Sequence, residues 1–133
     1  MSTASVYELL GGDEGVRRLV DRFYDLMDTR SDVQELRALH PTSLDASRDK
    51  LFWFLCGWLG GPQYFVERRG HPRLRARHLP FTIDERGRDQ WMLCMRHALT
   101  EVDDGLPQRL PAEIREKLDA ALFQLADHMR NVS

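Results

Sequence analysis

Residues 70–81 read Gly-His-Pro-Arg-Leu-Arg-Ala-Arg-His-Leu-Pro-Phe and set two of the chain's five histidines beside three alternating arginines. Three chemistries fit such a run. It can be a basic patch for phosphate. It can be a solvated helix face, the commonest origin of a charge run. It can also meet an anionic cofactor, with one histidine on a metal and guanidiniums on carboxylates. Haem answers the third description, since it needs one imidazole on its iron and cations at its propionate edge. Nucleic acid is disfavoured, because the patch is isolated on an acidic chain and lacks interleaved aromatics. An iron with one open position would also need hydrogen-bond donors on its far side. Tyr24 offers a hydroxyl and Trp91 an indole N–H, each on the apolar face of its own helix. Taken alone, either is accounted for by core packing with its polar tip satisfied elsewhere.

The elements that must position these groups are helical. Ser5 and Glu8 have capping-box spacing, and Gly11-Gly12 ends that short helix. Asp13 is then the expected cap of a second helix, whose stripe is Val16, Leu19, Val20, Phe23 and Met27. Residues 33–39 predict a short helix stopped before Pro41. From Asp45 a stripe runs through Leu51, Phe54, Leu55, Trp58 and Leu59 to the stop at Gly60-Gly61-Pro62. The prolines and glycines up to Thr82 leave room only for short turns, one of them over 72–78. Asp84 is placed to cap a long helix marked by Trp91, Cys94, Met95, Ala98, Leu99 and Val102. Pro111 suits the first turn of the last, with Ile114, Leu118, Ala121, Leu122, Leu125 and Met129. No stretch alternates with period two, so the fold class is all-α. The irregular, histidine-bearing segment between the two pairs of long helices is too long for a plain loop and points to function.

The bulk properties agree. The 133 residues fit one domain spanning 1–133, and 42% apolar with 30% charged residues is an ordinary globular balance. A net charge of −2 gives no reason to expect nucleic acid or an acidic membrane. No apolar run approaches a membrane span, and the first residues carry no basic or apolar leader, so the expected location is the cytoplasm. Cys56 and Cys94 each sit in an apolar helical stretch and read as buried free thiols. There is no C-x-x-C or C-x-x-C-H, so any haem would be held without thioether links.

Five motifs in order carry a resemblance: Leu9-Leu10-Gly11-Gly12; Arg22-Phe23-Tyr24; Trp58-Leu59-Gly60-Gly61-Pro62; Gly70-His71-Pro72-x-Leu74-Arg75-x-Arg77-His78-x-Pro80-Phe81; and Arg88-Asp89-x-Trp91-x-x-Cys94-Met95. Together the chain resembles a group II truncated haemoglobin, a two-over-two globin of bacteria and plants, from Tyr7 to the last helix. The resemblance implies a truncated globin fold around one non-covalent haem b. It puts the proximal ligand on His78, and the distal donors on Tyr24 and Trp91, with Trp91 also at the haem. His40 falls where relatives often carry tyrosine or phenylalanine, and it is expected either to cap the turn at Pro41 or to reach a ligand held near Tyr24. Ser47 takes the distal position that holds histidine in vertebrate globins. Leu51, Phe54 and Phe81 are expected to line the haem. Lys50 and Arg77 are the expected propionate partners, with His71 a weaker one because its place in the motif also suits the turn into Pro72. His97 and His128 lie off the apolar stripes and are expected in solvent.

Two or three distal donors imply tight oxygen binding and slow release. The first function is therefore reversible binding of dioxygen and other diatomic ligands. The second is turnover at the same iron, as nitric oxide dioxygenation or peroxidase-like chemistry. It needs an external electron-donating reductase, since no flavin or nicotinamide fingerprint is present. The third is a cofactor-free helical module. Tyr64, Phe65 and Val66 are expected to be exposed, as a dimer patch or a cover for the haem edge, which leaves monomer and homodimer both open.

Overall fold

Ser5 opens the first helix, α1 (Val6–Leu9), by accepting the Glu8 N–H at 3.2 Å. In the computed structural model, which describes residues 4–132, every regular element is helical. The next helix, α2 (Gly12–Thr29), buries the expected stripe together with Tyr24 and Leu26. Gly11, at φ 104°, is its N-cap, so Asp13 is not the cap its position suggested. Asp13 lies in the first turn and gathers side chains from elsewhere. It accepts the Tyr7 hydroxyl at 2.7 Å, the Tyr64 hydroxyl at 2.8 Å and the Cys56 thiol at 3.8 Å. A carboxylate there favours the positive end of the α2 dipole and pins α1 to the helices that follow.

A 3₁₀ turn (Ser31–Val33) leads into α3 (Gln34–Ala38), then α4 (Asp45–Trp58), α5 (Tyr64–Arg69) and α6 (Leu74–His78). Asp84 does cap α7 (Glu85–Asp104), accepting the Gly87 N–H at 2.9 Å. Pro111 is the N-cap of α8 (Ala112–Met129), one residue outside the first turn it was expected to occupy. Helix α2 packs against both α4 and α7, and α7 packs against α8. The two pairs, α2 with α4 and α7 with α8, stack as the two layers of a two-over-two sandwich. Phe23, Met27, Leu55, Met92, Met95 and Leu99 form the interior between them. The close approach of α1 explains the paired glycines after Trp58. A Cβ on Gly61 would sit 2.5 Å from the Tyr7 ring, and the Tyr7 N–H donates to Leu59 O at 3.0 Å.

The exposed patch expected at 64–66 is not present. Phe65 is buried, and Tyr64 stacks on Phe52 with its hydroxyl on Asp13, so only Val66 is exposed. The reason is that residues 64–69 form a helix, which turns two of the three side chains inward.

Candidate functional site

His78 stands on a short helix with little of its own to hold it. Helix α6 has five residues, none of them buried, and its N-cap Arg73 is left-handed at φ 45°, ψ 51° with no side-chain cap bond. A non-glycine residue in that region costs on the order of 1–2 kcal/mol. Gly70, at φ 77° and ψ −159°, sits in backbone space open essentially to glycine alone, which explains its place at the start of the segment. Half-buried His78 ends α6. Its Nδ1–H donates to Leu74 O, one turn back, at 2.6 Å, which leaves the Nε2 lone pair free. This is the tautomer a metal ligand needs, with the other ring nitrogen tied to a carbonyl. Leu79 (57% exposed) and Phe81 (43% exposed) flank His78 with apolar surface that a flat apolar group would cover. His71 is exposed and accepts the Arg73 N–H on its Nδ1 at 3.1 Å, so its contact is with the turn into α6.

Tyr24 and Trp91 are built on the core. Tyr24 is 6% exposed, and its ring lies 4.9 Å from Phe23 and 5.9 Å from His40. Burial pushes its hydroxyl well above the ordinary phenol range, so it is a donor at any physiological pH. That hydroxyl has no hydrogen-bond partner among the described residues, and no fully buried side-chain nitrogen or oxygen there is left unpartnered. It therefore touches open space and has a hydrogen to give. Trp91, half-buried on α7, packs against Phe23 at 5.3 Å between ring centres.

His40 joins them beside Tyr24. Its Nδ1–H donates to Leu36 O at 2.9 Å, so the neutral ring presents Nε2 as an acceptor. Burial, with help from Arg37 and His78, lowers its pKa below 6.5. Of the residues singled out in the sequence, the structure sets His40 beside Tyr24, and Trp91 beside Phe23. As a neutral ring His40 accepts a hydrogen bond; it donates through Nε2 only when protonated.

On α4, Leu51 and Phe54 are half-buried, Leu51 against the core and Phe54 with its ring 6.4 Å from Trp58. Ser47 is half-buried one turn before Leu51. Lys50 is exposed, while Arg77 lies over the Phe65 ring at 5.2 Å and donates to Arg69 O at 3.4 Å. Residues 50–83 carry six basic side chains and one carboxylate, Glu67, a net +5; the rest of the chain carries thirteen against twenty, a net −7. Lys50, Arg68, Arg69, Arg73, Arg75 and Arg77 take part in no ion pair among the described residues. Propionates would therefore meet cations with no competing carboxylate. Two surface hollows of about 420 Å³, at the end of α8 and between α2 and α7, are rimmed by charged side chains and include none of the pocket residues. His97 and His128 are exposed, as expected. Cys56 and Cys94 are buried and free, and burial pushes their thiols up to about 12 and about 11, so neither is reactive at neutral pH.

Three supporting residues lay outside the sequence reading. Gln90, next to Trp91, accepts the Leu36 N–H on Oε1 at 3.0 Å and so braces the residue whose carbonyl His40 bonds. Arg48 donates to Asp21 and Asp25 and lies over the Tyr24 ring at 5.8 Å, tying α4 to α2 at the pocket. Asn131, past the end of α8, donates to the carbonyls of His78 at 3.3 Å and Phe81 at 2.7 Å.

The group these residues fit is a metalloporphyrin: one imidazole with the correct free nitrogen, unpaired cations nearby, apolar flanks, and a buried hydroxyl with an unused hydrogen. Comparison with known proteins agrees. The family model described as bacterial-like globin matches residues 5–131. The group 2 truncated hemoglobin YjbI of Bacillus subtilis (strain 168) is 39% identical over 94% of this chain and 87% of its own length. The truncated hemoglobin of the Antarctic marine bacterium Pseudoalteromonas haloplanktis TAC125 is 45% identical, with TM-score 0.89, covering 98% of this chain and 100% of that one. The structure of a truncated oxygen-avid haemoglobin from Bacillus subtilis is 38% identical, with TM-score 0.82, covering 96% and 100%. With the pocket, the two-over-two fold and these likenesses in agreement, the chain belongs to the bacterial-like globins and, within them, to the group II truncated haemoglobins.

Proposed function

We propose that this protein holds one haem b non-covalently through His78 Nε2 and binds dioxygen and other diatomic ligands, with Tyr24 and Trp91 as hydrogen-bond donors. The observation that carries the reading is the His78 ring, whose Nδ1–H is spent on Leu74 O while Nε2 stays free. When bound, haem supplies ferrous iron with an open position for the ligand. Lys50 and Arg77 are the cations for its propionates, and Leu51, Phe54, Phe81 and Trp91 give the apolar lining.

This chain's own residues decide how long a ligand stays. Tyr24 has a hydroxyl hydrogen with no internal use, and Trp91 has an indole N–H. A hydrogen bond to a charged acceptor is worth about 1.5–3 kcal/mol, so each donor slows escape roughly ten- to a hundredfold. His40, its ring 5.9 Å from that of Tyr24, is neutral above its lowered pKa and becomes a further donor only when protonated. Ser47 leaves room beside them. Such a site holds its ligand tightly, in keeping with the printed description of the Bacillus subtilis relative as oxygen-avid. Iron that oxidises needs an external electron donor, since the sequence has no flavin or nicotinamide fingerprint. The test is the absorption spectrum of the ferric, ferrous and CO forms of the wild type and His78→Ala. A Soret band in the wild type that collapses in the variant is expected; wild type without one after haem addition overturns the proposal.

A further inference from the structure

We infer that the tail after α8 sets the orientation of the proximal ligand, and that Asn131 is a positioning residue for His78. The inference rests on the proposed haem ligation and adds to it a part of the chain that none of the globin motifs includes.

The His78 ring is fixed to its own helix by the 2.6 Å bond from Nδ1 to Leu74 O, so it moves as α6 moves. Helix α6 has no buried residue, no side-chain N-cap and a left-handed entry at Arg73. Its main packing partner is α8, and the contact is made by hydrogen bonds running both ways. From α6, Arg75 Nη1 donates to His128 O at 3.1 Å and Arg130 O at 3.0 Å, a cation on the carbonyls at the end of α8. From the tail, Asn131 uses its whole amide. Nδ2 donates to His78 O and Phe81 O, and Oδ1 accepts the Ile83 N–H at 2.9 Å. The Asn131 and Val132 N–H groups both donate to Ile83 O, at 2.9 and 3.2 Å. The tail therefore closes on both ends of the 78–83 turn, and Asn131 grips the carbonyl of the ligand residue itself. A neutral amide is required: aspartate would set a carboxylate against two carbonyl oxygens, and leucine would satisfy neither.

A second-layer partner of a metal-ligating histidine typically changes metal affinity by about 10–100-fold when removed. Asn131→Leu and Asn131→Asp are therefore expected to lose haem about ten times faster than wild type. They should also shift or broaden the iron–imidazole stretching band of the ferrous protein by resonance Raman, while the stretching band of bound CO, which reports on Tyr24 and Trp91, stays in place. Asn131→Asp keeps an acceptor for the Ile83 N–H and both backbone bonds of the tail, so it isolates the two donated bonds. Arg75→Met should act in the same direction, with Arg75→Lys restoring most of the wild-type behaviour. Native helical content by circular dichroism, with haem loss and the iron–imidazole band both unchanged in Asn131→Asp and Arg75→Met, overturns the inference. A wild type that binds no haem is a different result and defeats the ligation reading itself.

Discussion

His40 and His78 solve one local problem in the same way and stand on different foundations. Each ends a five-residue helix or lies just beyond it, and each ties Nδ1 to the carbonyl four residues back, at 2.9 and 2.6 Å. Each thereby keeps a bare Nε2. Helix α3 below His40 buries Leu36 in the core and is braced by Gln90 from α7. Helix α6 below His78 buries nothing and is held from outside by Arg75 and Asn131. The residues around His40 are thus part of the packed interior, while His78, the proposed iron ligand, sits on a piece hung between two polar straps. Packed interiors resist displacement, whereas an exposed helix secured by a few hydrogen bonds opens at lower cost. If His78 holds the cofactor as proposed, the side that aligns it is the side that the core does not freeze.

The comparison can be broken at several points. The largest expected effect is on cofactor retention: His78→Ala should lose the Soret band, whereas His40→Ala should keep it, and equal losses would erase the distinction between the two rings. Next is stability. Leu36→Ala should cost about 2–5 kcal/mol by urea denaturation, since Leu36 is 5% exposed. Leu74→Ala, on the half-buried face of α6, should cost about 1 kcal/mol or less. Tyr24→Phe should leave stability nearly unchanged and raise the oxygen dissociation rate roughly ten- to a hundredfold in stopped flow, by removing one donor. The smallest effect is on pH. His40 has a folded pKa lowered below 6.5 by burial, so its contribution is fully present above that pH and is lost as pH falls through the folded value. His40→Phe should therefore lose less stability than wild type on acidification below 6.5. Within the same window, protonated His40 becomes a donor, so the wild-type ligand off-rate should change with pH and that of His40→Phe should not.

The helices were legible because period and punctuation agreed: the Val16 to Met27 stripe, the stop at Gly60-Gly61, and the Asp84 cap all appear where the sequence set them. The motifs nominated Tyr24, Trp91 and His78 through the family resemblance, since those residue types recur at fixed places in it. What stayed hidden depends on side chains meeting across long separations. Asp13 looked like a cap because a carboxylate after two glycines usually is one; only the fold brings Tyr7 and Tyr64 to it. Residues 64–66 looked exposed because three apolar residues after a proline break carry no facing information until they are wound into α5. The His40 tautomer was hidden too, because the carbonyl that fixes it belongs to Leu36, a residue whose N–H is held by Gln90, fifty-four positions away. Asn131 lies beyond the last stripe, where pattern ends and only the folded-back tail gives the residue a partner.

The segregation of charge along the chain has a consequence for how the molecule meets charged surfaces. With +5 concentrated on residues 50–83 and −7 on the rest, a chain of net charge −2 carries a locally basic segment. In low salt, where screening reaches about 30 Å, the molecule turns before it touches. At pH 7 it should be retained on a cation-exchange resin despite an isoelectric point near 6.2, and released by modest salt. The segment it should turn toward a negative surface is the one that carries His78.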